Sequence, residues 1–406
     1  MPTDPALLHS LQVRGVIIHA PASVLLRDLD PERIEAGVEI YPAVTLEGRH
    51  TLLGAGTCLG RAGGGTFRNV RTGRQVDLYG GFFDDCVFLD GVTIRGHAEV
   101  RGGTLLEEHC EAAHHAGYKQ TIMLPFVIAG SLVNFCDALV AGGTDRRNHS
   151  EIGSTLALYN YTPWGDKYAS LFGNVADGVF LDQARIFVGG QTQIVSPVEV
   201  GFGTVIPAGA SVRRSVGDGR LYGERTGDVD EEFDAARFGA ALPKVRATIS
   251  YLENLRALQA WYRHVRLPWA VSQGPHTTAL YEAAAMMLEQ GVRERVLRAD
   301  QMIARLPSSR LAWLGHATSS DLSLAQRAER RVRDHDDAME LWGRARPAAA
   351  GLQPDVSPVW ASEALEQVLH TLRTRTGPWV DRVRQGFDAP LREAAAKALR
   401  ELGRLV

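Results

Sequence analysis

The sequence predicts a parallel β-helix followed by an all-α region, and three observations carry that reading. Apolar side chains recur at every sixth position in Val188, Ile194, Val200, Ile206 and Val212. Glycine is concentrated early, with only eight of 42 beyond residue 240, and each one inside a helix would cost about 1 kcal/mol relative to alanine. Beyond that point the chain turns rich in Ala, Leu, Arg and Glu, the composition of helices.

The period of six is the signature of a β-helix in which each hexad forms one flat side of a triangular coil and three hexads close a turn. Thr192, Val198, Thr204 and Ala210 repeat at a second fixed phase, and Gly189, Gly201 and Pro207-Ala-Gly fall where the chain must bend. Ile34, Ile40 and Leu46 keep the same period, as do Leu53 and Leu59 after a one-residue slip, then Ile94 and Val100. Residues 34–216 leave room for roughly ten coils of about 18 residues each, enough for neighbour stacking to stabilise them. Three breaks in the period, Gly60 to Leu78, Leu105 to Ile122 and Thr144 to Ser170, are expected to be loops thrown out from the prism.

The polar, turn-prone run from Gly217 to Asp228 reads as a linker, which divides the chain into a solenoid over 1–230 and a helical bundle or appendage over 231–406. In the second part, Val245, Ile249, Leu252, Leu255 and Leu258 lead to Trp261, Tyr262 and Val265 on one apolar face, and Pro268 is expected to end that helix. Further helices are expected over Thr277 to Arg305, closed by Pro307; Ser320 to Arg344, capped by Ser320 or Asp321; Ser362 to Arg375; and Pro390 to Leu405.

The charge balance is near neutral, 44 Lys and Arg against 47 Asp and Glu, so no global basic field would recruit nucleic acid or an acidic membrane. The amino terminus has no basic stretch followed by an apolar run, and no stretch of about 18 apolar residues occurs, which predicts a soluble, unexported, cytoplasmic protein. Cys58, Cys86, Cys110 and Cys136 form no CxxC pair and read as reduced core thiols, and no metal site is expected.

Two groups of residues carry a family resemblance. The run Phe187-Val-Gly-Gly-Gln-Thr-Gln-Ile-Val through Ala210-Ser-Val, preceded by Val179-Phe-Leu, is one. The segments Ala129-Gly-Ser-Leu-Val-Asn-Phe-Cys-Asp-Ala and Ile152-Gly-Ser-Thr-Leu-Ala-Leu-Tyr-Asn-Tyr are the other. Together with the stretch from Gly15 to Gly60, they resemble the acetyltransferase half of the bifunctional UDP-N-acetylglucosamine pyrophosphorylase/glucosamine-1-phosphate acetyltransferases, over roughly residues 10–216. The resemblance implies a left-handed coil, an exception to the usual crossover hand. The nucleotide-binding pyrophosphorylase half, which would precede these coils, has no counterpart in the few residues before Gly15, so uridylyl transfer is not expected; nor does the family offer a counterpart to the helical region.

In that family an amino sugar phosphate attacks the thioester of acetyl-CoA while a histidine removes the ammonium proton, a task suited to a side chain titrating near neutrality. The matching position here is Ser131, whose hydroxyl needs an activating partner to act as a base or nucleophile. His149, in the Thr144 excursion, is a relocated base or a solvated loop histidine; His114 and His115 are further candidates or satisfied turn residues. Lys119, Arg146, Arg147 and Lys167 either converge on a phosphate or stand as exposed loop charges. Asn160 and Tyr161 match an acceptor-site pair of the family, with a turn-stabilising role as the alternative. Gln191, Thr192, Ala208 and Ala210 lie where the family lays the CoA arm, although hexad turns demand small residues there too. Trp164, Tyr168 and Phe172 line a pocket or pack a loop.

Two readings follow. One is an acyltransferase using acetyl-CoA or another acyl-CoA, with an amino sugar phosphate or nucleotide sugar as acceptor and His149 as base. The other is a noncatalytic sugar-nucleotide-binding or scaffold protein that lost the histidine at Ser131. The resemblance further implies a homotrimer with sites between subunits, and the helical region is free to bind a protein partner.

Overall fold

In the computed structural model, residues 3–224, 237–318, 322–351 and 359–406 are described, the side chains of the last segment from 363 onward. The boundary near residue 230, the end of the expected linker and the Ser320 or Asp321 cap lie outside the described residues.

The first part is a solenoid whose neighbouring coils pair in parallel throughout, with a ten-stranded ladder along one side. On this first face Ile18, Ile40, Leu59, Leu78, Ile94, Ala112, Ala129, Ile152, Val188 and Ile206 stack in one buried inward column. The second face stacks Leu46, Phe67, Phe83, Val100, Tyr118 and Phe135, then Ile194 and Val212. The third stacks Thr72, Phe88, Leu106, Met123, Val140, Phe172 and Val200. Val188, Ile194, Val200, Ile206 and Val212 therefore visit the faces in turn, which is why a hexad repeat gives a three-sided prism. The second phase, Thr192, Val198, Thr204 and Ala210, fills the inner corners. Many corners are turned by a residue in the left-handed region, such as Leu132 at φ 60° and Thr155 at φ 59°. These are conformations that non-glycine residues adopt at a cost.

Two of the three expected excursions are regular coil. Leu106, Ala112 and Tyr118 continue the hexad through the second break, and the first break holds the strands Gly65–Arg68 and Arg71–Thr72. The third contains the strands Ser150–Ile152 and Ala157–Tyr159, so the true departures are the turns around residues 142–149 and 160–169. A further departure over 173–185 carries the short helix Val175–Gly178.

The remaining helices are Pro5–Val13 (α1) before the coils, Val175–Gly178 (α2) within them, and eight after them among the described residues. These are α3 (Leu242–Trp261), α4 (Leu267–Val271), α5 (Pro275–Ile303), α6 (Leu306–Leu314), α7 (Leu322–Ala350), α8 (Val359–Thr374), α9 (Trp379–Arg384) and α10 (Ala389–Gly403). Pro268 does not end α3: a π turn over Tyr262–Arg266 carries the chain straight into α4, whose first turn accepts proline because its N–H is not needed. Pro307 likewise opens α6. None of the helices among the described residues is long and apolar enough to cross a membrane.

The helical region is docked on the third face. Val87, Leu105, Ile122, Leu139 and Leu171 point outward from that face in register and are nonetheless buried. Helix α5 packs on the strands Arg71–Thr72, Cys86–Phe88 and Thr104–Leu106, and α3 on Ser170–Phe172. Burial of such side chains contributes about 1.5–3 kcal/mol apiece. The two parts are also clasped by a buried polar network. Arg266, 1% exposed at its side chain, donates from Nη1 to Glu108 at 2.8 Å and from Nη2 to Glu107 at 2.7 Å. Tyr262 and Tyr281 donate to the same two carboxylates at 2.7 and 2.8 Å. The π turn brings Tyr262 and Arg266 onto one side, where both reach the acids.

Candidate active site

The corner between the first and second faces collects seven of the residues singled out in the sequence: His114, His115, Ser131, Gln191, Thr192, Ala208 and Ala210. Successive coils stack here through their turns: the Leu132 N–H donates to the His114 carbonyl at 3.0 Å, Thr155 to Ser131 at 2.7 Å and Gln191 to Ser154 at 2.8 Å. Gly209 closes the series on Gly190 at 2.9 Å. The backbones approach so closely that a Cβ on Gly189 would lie 2.3 Å from the Ala208 nitrogen. Glycine is therefore required there by packing alone.

Ser131 and His114 occupy the same turn of adjacent coils, with Ser131 Oγ 3.4 Å from His114 Nδ1. The Ser131 N–H is held by Ser154 Oγ at 3.2 Å. His115, next to His114, stacks on His97 with ring centroids 5.1 Å apart. The tautomer decides what the pair can do. If Nδ1–H donates to the serine oxygen, the exposed Nε2 keeps its lone pair and serves as a proton acceptor. In the reverse arrangement the imidazole draws on the Ser131 hydroxyl.

Further along the same corner lie Gln191 and Ala208, both exposed, and Ala210, buried. Thr192 is buried and its hydroxyl donates inward to the Gly189 carbonyl at 2.6 Å, so it turns the chain and leaves the surface to Gln191 and Ala208. His114, the half-buried Ser131, Gln191 and Ala208 thus line one corner of the column, with the Ser154 turn between Ser131 and Gln191.

The other predicted residues sit elsewhere. Lys119 lies on the second face in register with Cys136, and Lys167 follows in the departure at the corner between the second and third faces. Asn160 donates to the buried Asp137 carboxylate, which also receives Arg295 from α5. Burial pushes the Asp137 carboxyl up, against the pull of Arg295. Asp137, which the sequence reading passed over, is thus the anchor of this corner and occupies Asn160 internally. Tyr161 is exposed and pairs through its backbone with Lys167. Tyr168 and Trp164 pack around Lys244 of α3, with Nζ 4.8 and 5.3 Å from their ring centroids, so these aromatics fasten a loop. Phe172 belongs to the solenoid core.

Arg146, Arg147 and His149 lie at the third corner, between the third and first faces. His149 stands at the opening end of the first-face strand Ser150–Ile152, whereas Ser131 follows the closing end of the strand Val127–Ala129 one coil below. The two are not brought together. Both imidazole nitrogens of His149 face acceptors, Nδ1 the Arg146 carbonyl at 2.9 Å and Nε2 the Glu151 carboxylate at 2.5 Å. Both ring nitrogens are thus turned to acceptors within the protein. The four predicted cations divide between two corners, Lys119 with Lys167 and Arg146 with Arg147, with the helix-covered third face between them. Among the described residues no group of three or more metal-ligating side chains occurs.

No family model matches the chain. Curated proteins do. The bifunctional protein GlmU of Streptococcus agalactiae serotype V is 26% identical over 204 residues, 50% of this chain and 40% of that protein. GlmU of Pelobacter propionicus is 28% identical over 211 residues, 50% and 42% respectively. GlmU of Sphingopyxis alaskensis is 28% identical over 169 residues, covering 39% of this chain and 33% of the relative. The matched segment spans about two fifths of the length of the first two relatives. Together with the hexads and the parallel ladders, this similarity supports a left-handed β-helix, and the solenoid half of the chain resembles the acetyltransferase-like half of the GlmU proteins.

Proposed function

We propose that the protein transfers an acyl group from acyl-CoA, acetyl-CoA in the simplest case, to the amine of an amino sugar phosphate or nucleotide sugar, at the His114 and Ser131 corner. The observation that carries this reading is the 3.4 Å approach of Ser131 Oγ to His114 Nδ1 on an exposed turn. It restores an imidazole beside the position where the family places its histidine. The amine nitrogen attacks the thioester carbonyl and loses its proton to His114 Nε2; the thiolate leaves and recovers that proton, giving an amide and free CoA. The stacked turns at Gly190 and Ala208 supply a close backbone surface for the pantetheine arm. A homotrimer in the cytoplasm, with a neighbouring copy laid against this corner, completes the reading.

Thiol release from acetyl-CoA in the presence of an amino sugar phosphate tests it. The His114→Ala variant is expected to lose about 10²–10⁴-fold in turnover, and His149→Ala to stay within a few-fold of the parent. A second reading rests on the serine at the family's histidine position: a protein that binds the sugar nucleotide without catalysis. Tight binding of a UDP-sugar with no acetyl-CoA affinity and no thiol release would establish that reading instead. Light scattering that returns a monomer would remove the intersubunit site.

A further inference from the structure

At the third corner the helices stand away from the solenoid and leave a cleft of about 550 Å³. The turns at Gly56, Gly73 and Gly91 wall one side, and Trp269, His276 and Trp379 the other. Past His109 and Val380, which line both, the cleft continues into a second chamber of about 410 Å³ edged by Arg146, Arg147 and Arg384. Small-molecule sites span roughly 300–1,000 Å³, so the volume suits a ligand larger than one ion.

The polar groups on these walls are complementary to one kind of molecule. Trp269 is 5% exposed, and its buried indole N–H has no acceptor in the protein. A buried donor without a partner is costly unless a ligand accepts from it. Arg146 Nη2 lies 3.0 Å from His109 Nδ1. Arginine only donates, so Nδ1 is the acceptor and the His109 Nε2 carries a hydrogen. Asp90 brings a carboxylate to the same cleft, one oxygen held by the Arg74 N–H at 2.8 Å. At the far end three guanidiniums face two carboxylates, Asp145 and Asp381. Asp145 Oδ1 accepts from the backbone N–H groups of Arg147 and Asn148, at 2.8 and 3.1 Å, while Arg384 lies 3.4 Å from its Oδ2 and 3.9 Å from Asp381, so three cations against two acids leave one positive charge in excess. The balance there favours an anion.

We propose that this cleft binds a sugar phosphate, with its phosphate between Arg146 and Arg384 and its hydroxyls between the Asp90 carboxylate and the Trp269 indole N–H. His109, at the junction of the two chambers, donates to the oxygen that links phosphate and ring. The site belongs to the joint between the solenoid and the helical region, and it is separate from the corner that carries His114 and Ser131. Its occupant touches α4, α9 and the coils at once, so binding stiffens the joint.

Isothermal titration of the full chain with glucose 1-phosphate, glucose and inorganic phosphate tests the proposal. Glucose 1-phosphate is expected to bind more tightly than either fragment and to change the tryptophan fluorescence. Combining Arg146→Ala with Arg384→Ala should weaken glucose 1-phosphate and inorganic phosphate alike by about tenfold or more. Asp90→Asn, which retains an acceptor for the Arg74 N–H, should weaken glucose 1-phosphate and leave phosphate unchanged. His114→Ala should leave all three isotherms as they were, which separates this site from the proposed active site. The proposal is overturned if the arginine variant and Asp90→Asn both bind glucose 1-phosphate like the parent, if binding vanishes with His114→Ala, or if no heat is seen at millimolar ligand.

Discussion

Replacing Arg266 by methionine isolates the clasp between the two halves of the chain. The guanidinium makes four hydrogen bonds, to Glu107, to both oxygens of Glu108 and to Tyr281, and its side chain is 1% exposed. One cation serves two carboxylates. Burial pushes Glu107 up, and Arg266 holds Glu108 below the usual glutamate range. Of the two acids, Glu107 is therefore the one that holds a proton as pH rises toward neutrality, and Glu108 the one that stays ionised opposite the arginine. Methionine fills much of the same volume but leaves the Glu108 charge without its counterion, a change that costs about 3–5 kcal/mol when one member of a buried pair is removed. Lowering the pH to 5 lets both acids bind protons, so the deficit against the parent should shrink. Adding Glu107→Gln and Glu108→Gln to Arg266→Met should recover most of the loss, because the amides still accept from Tyr262 and Tyr281. Urea unfolding followed by tryptophan emission reads this directly, since every tryptophan except Trp164 lies beyond residue 240. The parent has its own signature. The raised Glu107 makes stability fall as pH climbs from the ordinary glutamate range through its folded value, while the lowered Glu108 makes stability fall as pH drops below that range. A loss under about 1 kcal/mol at pH 7, or one that does not change between pH 7 and 5, would refute the assignment of charge in this network.

Three other substitutions test the packing. A Cβ at Gly142 would lie 1.5 Å from the Pro125 carbonyl oxygen, so Gly142→Ala should cost about 1–3 kcal/mol or more in urea unfolding. The same change at Gly343, inside α7 with nothing near its Cβ, should raise stability by about 0.5–1 kcal/mol. Lys244→Met removes a cation that lies 4.8 to 5.3 Å from the Trp164, Tyr168 and Phe238 rings and 3.8 Å from the buried Asp166. It should lower the unfolding midpoint by the equivalent of about 2 kcal/mol and be rescued in part by Asp166→Asn.

The prism was legible because inward residues of a hexad repeat have to be apolar, and five of them in a row allow no other period. The breaks were misplaced where that logic is met by unobvious residues. Ala112 and Tyr118 keep the spacing after Leu106, but a small and a polar-tipped side chain do not register as hexad apolar positions. Conversely, Val179, Phe180 and Leu181 are apolar yet leave the prism, because Phe180 packs on Trp261 and Phe387 of the helical region. The docking of that region was written in the sequence as apolar doublets: Val87-Phe88, Leu105-Leu106, Ile122-Met123, Leu139-Val140 and Leu171-Phe172. Strand residues alternate in direction, so two adjacent apolar residues on five consecutive coils mean that both sides of that face are covered there. His114 and Ser131 are 17 residues apart, one coil, and that spacing was the available signal for their contact. Nothing comparable marked the cleft, because its walls come from turns 56 to 109 on one side and helices beyond 260 on the other.

Covering one face of a three-sided column constrains everything the other two can do. With the third face occupied by α3 and α5, the helical region leaves the first and second faces uncovered, and the His114 and Ser131 turn lies on the edge they share. In the proposed reading, a copy laid over that edge would shield the corner from water and add groups to it, as amide formation from a thioester requires if hydrolysis is to be avoided. The cleft at the opposite edge of the first face is assembled within a single chain, half from coils and half from helices. A reaction shared between copies and a binding site internal to each copy can then coexist on one column, because the helical region that closes the third face also builds the far wall of the cleft.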